Sequence, residues 1–182
     1  MNLYTTGIPE KRIIPNNAAL PGKLFVIGIA ELKIVKAPDR VSTLGLGSCV
    51  GLVLYDAVNK IGGMVHIMLP SAPANGGAVN RSKYADTAVG ELIRLMVSSG
   101  AARGRLAAKM AGGAHMFGAV CNGDIMNVGE RNVAVCRRVL RENAIAVTAE
   151  DTGGTCGRSI EFCCETGRLQ IRTVSPRDIR LI

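Results

Sequence analysis

Apolar residues recur at alternate positions on either side of a short polar break in the segment Thr43–Pro70. Val50, Leu52 and Leu54 lead up to Asp56-Ala57-Val58-Asn59-Lys60, and Ile61, Val65, Ile67 and Leu69 follow it. A period of two marks a strand with one buried face. The pattern predicts antiparallel strands over about 48–56 and 61–69, joined by a short turn. Both apolar sets must look into one core, because a one-residue slip would turn one of them to solvent. Pairing Asp56 with Ile61 meets that condition. It puts Cys49, Val53 and Tyr55 on the opposite face, together with Met64, His66 and Met68. Cys49 then faces Met68 and His66 faces Gly51, which leaves room for the ring. The thiol and the imidazole become diagonal neighbours, roughly 5–8 Å apart at Cβ.

The rest of the chain supplies further elements. Residues 1–22, polar and carrying Pro9, Pro15 and Pro21, predict a flexible N-terminal extension ahead of one domain over 23–182. Leu24–Val35 predicts one strand, ended by Pro38-Asp39-Arg40, and Val41–Leu46 a short one. Pro70–Asn80 is a loop by composition. Helical spacing over Ser82–Ser99 puts Tyr84, Ala88, Leu92, Leu95 and Met96 on one apolar side, and Gly100 is a stop. Arg105–Ala111 predicts a strand, Gly112-Gly113 a turn or a close backbone contact, and 118–126 a loop. Asn127 with Glu130 resembles a capping box opening a helix to about Glu142. Val128, Val135, Val139 and Leu140 face inward there, and Arg137, Arg138 and Arg141 complement the helix dipole. Ala144–Ala149 predicts a strand, Glu150–Gly154 a turn, Arg158–Cys164 with Leu169–Val174 a hairpin, and the residues from Pro176 a mobile tail. Strands outnumber helices, so the fold class is a single α/β domain with helices packed outside its sheet.

Composition narrows the function. A chain of 182 residues with 48% hydrophobic content can bury a substantial core, and 3% aromatics without Trp make that core aliphatic. Lys plus Arg number 22 against 14 Asp plus Glu, a net charge of +8 that suits an acidic partner. Zinc-finger spacing, an aromatic ribonucleoprotein motif and a dense basic tract are all missing, so nucleic acid is not the expected partner. Six cysteines occur without a CxxC pair and beside only two histidines, which predicts no metal site and no cofactor. The opening of the chain shows no signal peptide and no apolar run approaches about 18 residues, so a cytoplasmic protein without a membrane span is expected.

Cys49 and His66 are the candidate chemistry. A free cysteine is only a few per cent thiolate at neutral pH, and a neighbouring imidazolium lowers its pKa and supplies the nucleophile. Gly45-Leu46-Gly47-Ser48 leads into Cys49 with backbone free to bend, and its N–H groups are candidates for an oxyanion hole. A third polar member cannot be chosen among Thr43, Ser42 and Ser48 from the residues alone. His115 is the rival base and Cys156 the rival nucleophile, but neither has a strand register that pairs it with a partner.

The segment resembles the signature of the chemoreceptor glutamine deamidase family, CheD. The likeness rests on Thr43-Leu44-Gly45-Leu46-Gly47-Ser48-Cys49-Val50 and on Gly62-Gly63-Met64-Val65-His66-Ile67-Met68-Leu69-Pro70. It continues through Arg81-Ser82-Lys83-Tyr84, Ala108–Ala114, Val128-Gly129-Glu130-Arg131-Asn132 and Glu150–Gly154. This resemblance implies a β-sandwich-like core of mixed or antiparallel sheet. It implies a protein-glutamine glutaminase that converts receptor glutamines to glutamate and releases ammonia through a cysteine thioester. Cys49 would be the nucleophile, His66 the base and Thr43 the residue that joins them; Asn132 fits the pattern without an assigned role. The implied partners are the cytoplasmic helical regions of methyl-accepting chemotaxis receptors and a CheC-type phosphatase. Two other classes compete: a non-catalytic adaptor of receptors or phosphatase, and a cysteine amidohydrolase acting on a small amide. Receptor mass unchanged in cells favours the first, and ammonia from free glutamine the second.

Overall fold

In a computed structural model that describes residues 22–74, 79–115, 128–173 and 178–182, the chain runs through ten strands and two α-helices. The strands are β1 (Leu24–Ile27), β2 (Leu32–Lys36), β3 (Arg40–Leu46), β4 (Val50–Asp56), β5 (Ile61–Ile67), β6 (Ala107–Gly112), β7 (Ala146–Thr152), β8 (Arg158–Cys163), β9 (Arg168–Thr173) and β10 (Ile179–Leu181). Helix α1 spans Ala85–Ser98 and α2 spans Val128–Glu142. The expected extension up to Pro21, the loop over 118–126 and the cap at Asn127 lie outside the described residues.

Two five-stranded sheets form, in the orders β1-β3-β8-β9-β10 and β2-β5-β4-β6-β7. Each has one parallel pair, β1 with β3 and β6 with β7, and is otherwise antiparallel. The sheets pack face to face. Val41, Ile160, Phe162, Leu169 and Ile171 of the first meet Val53 and Met64 of the second in one aliphatic cluster. On its other face the second sheet carries Val50, Leu52, Leu54, Val65 and Ile67, which bury against Val89, Leu92 and Met96 of α1 and Val133, Cys136 and Leu140 of α2. The result is a β-sandwich core with a helical layer on one side, as the resemblance implied.

The hairpin keeps the register read from its alternation. Asp56 pairs with Ile61, Leu52 with Val65 and Gly51 with His66. Asp56 fixes the turn by accepting from the N–H groups of Val58 and Asn59, and is itself held by Arg105 and the Ala102 N–H.

Four expectations change. The apolar run Leu24–Val35 is not one strand. It breaks at Gly28–Ala30, where Ala30 takes a positive φ of 61° and the Glu31 carboxylate accepts from the Gly28 N–H at 2.7 Å. The break sends β1 into one sheet and β2 into the other. The supposed turn from Glu150 begins only at Gly153, because Glu150–Thr152 continue β7 beside β6. The tail after residue 177 is a strand: β10 pairs with β9, and the Ile182 carbonyl accepts from the half-buried Lys109 ammonium at 2.7 Å. Finally, Val133 and Cys136, with Asn132, take inward places on α2, while Val128 and Val135 are half-buried.

Candidate active site

Thr43 and His66 belong to different sheets and meet between them. Thr43 Oγ1 lies 2.9 Å from the Ile27 carbonyl and 2.7 Å from His66 Nδ1. A hydroxyl has a single hydrogen to give. The carbonyl can only accept, so that hydrogen goes to Ile27 and Thr43 accepts from Nδ1–H. The count assigns the Nδ1–H tautomer and leaves Nε2 as a bare lone pair. Nε2 is buried and makes no hydrogen bond among the described residues. Of the three hydroxyls left open by the residues alone, Thr43 is the one bonded to the ring.

Cys49 sits half-buried on the bend that enters β4. By the register it shares a face with Gly51 and Val53, and so with Met64 and His66, turned toward the other sheet. The room left by Gly51 is filled differently from the expectation. A Cβ there would meet Ile160 Cδ1 at 2.5 Å and Leu46 Cδ1 at 2.9 Å, so the glycine admits the opposite sheet as well.

The chain reaches Cys49 through a bulge. Thr43 pairs with Ile160 but Leu46 pairs with Arg158, so β3 carries one residue more than β8. Gly45, with φ of 71°, takes up the extra residue in the left-handed region. Beyond the bulge the backbone is clamped. The Gly47 carbonyl accepts from Ala114 N–H at 2.7 Å and the Cys49 carbonyl from Gly113 N–H at 2.8 Å. A Cβ on Gly112 would stand 2.3 Å from the Cys49 oxygen, and its φ is +106°, so the paired glycines make the close approach that their presence predicts.

Asn132 completes the surroundings and was not legible as more than a motif position. Fully buried on α2, it donates through Nδ2 to the Ser48 carbonyl at 2.9 Å and to the Met68 carbonyl at 3.0 Å. The amide therefore ties the residue before Cys49 to the strand end that follows His66. The available signal was a polar residue falling on the apolar face of α2, where burial demands a partner.

Burial pushes the Cys49 thiol up and the His66 imidazole down. Both shifts favour the neutral forms. Burial thus works against the thiolate–imidazolium pair anticipated from the sequence, and no Sγ–Nε2 hydrogen bond joins the two. Of the two rivals, His115 is half-buried and its backbone N–H donates to the Gly154 carbonyl at 2.8 Å, while Cys156 is half-buried in the turn after β7. Among the described residues no group of three or more His, Cys, Asp or Glu could hold a metal ion, and no helix is long and apolar enough to cross a membrane.

The CheD family, described as CheD chemotactic sensory transduction, matches residues 68–173 of the chain. That span contains Asn132 but begins just after His66. A chemoreceptor glutamine deamidase CheD of Halalkalibacterium halodurans is 53% identical over 149 residues, which cover 81% of this chain and 92% of that protein. A probable chemoreceptor glutamine deamidase CheD of Caldanaerobacter subterraneus subsp. tengcongensis is 48% identical over 155 residues, covering 85% and 96%. One of the same description from Thermococcus kodakarensis is 46% identical over 149 residues, covering 82% and 92%. A match over more than half of the sequence, and relatives about half identical along most of their own length, leave one conclusion: the chain belongs to the CheD family.

Proposed function

We propose that this protein hydrolyses glutamine side-chain amides of chemoreceptors to glutamate and ammonia, with Cys49 as nucleophile, His66 as general base and acid, and Thr43 as the residue that orients His66. The observation that carries the reading is the unpartnered Nε2 of His66, whose Nδ1–H is committed to Thr43, on the same face as the half-buried Cys49. The names of the relatives supply the substrate class.

The steps follow from that tautomer. As a carboxamide carbon approaches Sγ, the thiol proton passes to Nε2 and the C–S bond forms. The oxygen becomes an oxyanion, for which the Cys49 N–H, uncommitted to any backbone carbonyl among the described residues, is the donor we assign; such a donor contributes about 3–4 kcal/mol. The C–N bond then breaks, and ammonia leaves with the proton from Nε2. A water gives its proton to Nε2 and attacks the thioester; the C–S bond breaks, the thiolate regains the proton, and glutamate is released. Because burial favours the neutral thiol and imidazole, proton transfer is expected to accompany attack.

Mass spectrometry of a purified receptor cytoplasmic fragment tests the reading. Each converted site gains about one dalton as NH₂ becomes OH, which is the hydrolysis this class of cysteine chemistry performs. The gain is expected with the native protein and absent with Cys49→Ala; a gain that persists in Cys49→Ala overturns the assigned nucleophile. A cytoplasmic location and a CheC-type phosphatase partner are part of the same proposal, and co-purification from cell extract checks the latter.

A further inference from the structure

We propose that Asn132 is a positioning residue for this reaction, one that aims the Cys49 N–H at the oxyanion by holding the Ser48 carbonyl. The inference rests on the amide-hydrolysis reading above and assigns a role to a residue that the mechanism has so far left unused.

The geometry begins with one peptide unit. In a trans peptide the C=O and the following N–H point in opposite directions. Asn132 Nδ2 fixes the Ser48 carbonyl at 2.9 Å, so it also fixes the direction of the Cys49 N–H, away from α2. The backbone bonds of this bend use the Gly47 N–H, the Gly47 carbonyl and the Cys49 carbonyl; among the described residues none uses the Cys49 N–H. That donor is left for something else.

The second bond ties the same amide to the other half of the site. Nδ2 also donates to the Met68 carbonyl at 3.0 Å, two residues beyond His66. Both neighbours of Nδ2 are carbonyl oxygens, which can only accept, so the side-chain orientation is not open to a swap of N and O. The opposite atom, Oδ1, is buried and has no partner among the described residues. An apolar residue would fill this inward place on α2 with no orphaned atom. The amide is therefore explained by its two donors and not by packing.

α2 is a firm base for such a side chain. Gly129, one turn earlier, touches the backbone that clamps Cys49: a Cβ on it would lie 2.7 Å from the Gly113 oxygen. Gly113 in turn bonds the Cys49 carbonyl at 2.8 Å. Helix, glycine turn and nucleophile bend are thus in direct contact, and Asn132 acts across that contact.

The experiment uses the full chain carrying Asn132→Leu, which keeps the size, adds no charge and removes both donors. Three quantities are compared with the native protein. For a receptor cytoplasmic fragment, kcat is expected to fall about a hundredfold, the effect of losing one oxyanion donor, with KM unchanged. Alkylation of Cys49 by iodoacetamide, a displacement that forms no oxyanion, is expected at the native rate. In ¹⁵N-cysteine-labelled protein the Cys49 amide resonance, assigned by its loss in Cys49→Ala, is expected to move. Native kcat, a parallel loss of kcat and alkylation, or an unmoved Cys49 resonance each overturns the proposal. If Asn132→Leu fails to fold, Asn132→Ala is measured in the same three ways. If the native protein itself converts no glutamine, the amide-hydrolysis reading falls, and the resonance alone then decides whether Asn132 sets this peptide.

Discussion

Thr43 Oγ1 and His66 Nδ1 stand 2.7 Å apart across the two sheets, with the threonine hydrogen already committed to the Ile27 carbonyl. That single contact sets which ring nitrogen keeps its lone pair. A base oriented in this way depends on the hydroxyl and little on the rest of the side chain.

Thr43→Val therefore keeps the volume and removes the hydroxyl, and ammonia release is expected to fall about ten- to a hundredfold. Thr43→Ser keeps the hydroxyl and should stay close to native. The valine variant also leaves the buried His66 N–H without its partner, a loss worth about 1–3 kcal/mol, so its melting temperature should drop as well. Equal activity of the two variants would remove Thr43 from the mechanism.

Reactivity against pH separates a neutral pair from an ion pair. Burial raises the Cys49 thiol and lowers the His66 imidazole. Without substrate, alkylation of Cys49 should climb with pH through and beyond the usual thiol value of about 8.5. A preformed thiolate–imidazolium pair would instead give a plateau reaching below neutrality. The acid limb of kcat/KM should lie below the ordinary imidazole value of about 6.5, because a depressed His66 stays a base at lower pH.

Gly112→Ala tests the backbone clamp. Its Cβ would be driven to 2.3 Å from the Cys49 carbonyl at a φ of +106°. Strain of this kind is worth about 1–3 kcal/mol before any overlap is counted. Chemical denaturation should show at least that loss, and Cys49 should lose deamidation along with it. Full activity in this variant would mean that the bend tolerates a displaced carbonyl.

Asp56 is a separate stability test. Its carboxylate is fully buried and takes hydrogen bonds from Arg105, Ala102, Val58 and Asn59. Hydrogen bonding to Arg105, foremost, holds its pKa far below the usual carboxylate range. A folded-state pKa below the unfolded one means the unfolded chain binds the proton more readily. The stabilisation is thus present above about pH 3.9, the unfolded value, and is lost as pH falls toward the folded one. Asp56→Ala should lose about 3 kcal/mol near neutrality by denaturant titration, and the difference from native should shrink in strong acid.

Much of this arrangement could be read from local pattern. Alternation over Val50–Leu54 and Ile61–Leu69 carried the register, and the register carried the shared face of Cys49 and His66. What failed was non-local. Leu24–Val35 is largely apolar, and the division of β1 and β2 between two sheets depends on partners that arrive later in the chain. β10 was missed because its strand character comes from pairing with β9, not from its own three residues. Asn132 lies 64 positions from Met68 and 84 from Ser48, so no window of sequence brings them together. Thr43 could not be told from Ser42 and Ser48 without knowing which hydroxyl faces the other sheet.

The first sheet has a further consequence for synthesis of the chain. Thr43, Cys49 and His66 all emerge early, yet the strand that carries Thr43 lies between β1 and β8, and β8 begins only at Arg158. A ribosome-bound chain from which β8, β9 and β10 have yet to emerge has every reactive group but only β1 beside β3 to hold the threonine against the ring. Competence to attack an amide is therefore expected only once β8 has emerged to flank β3.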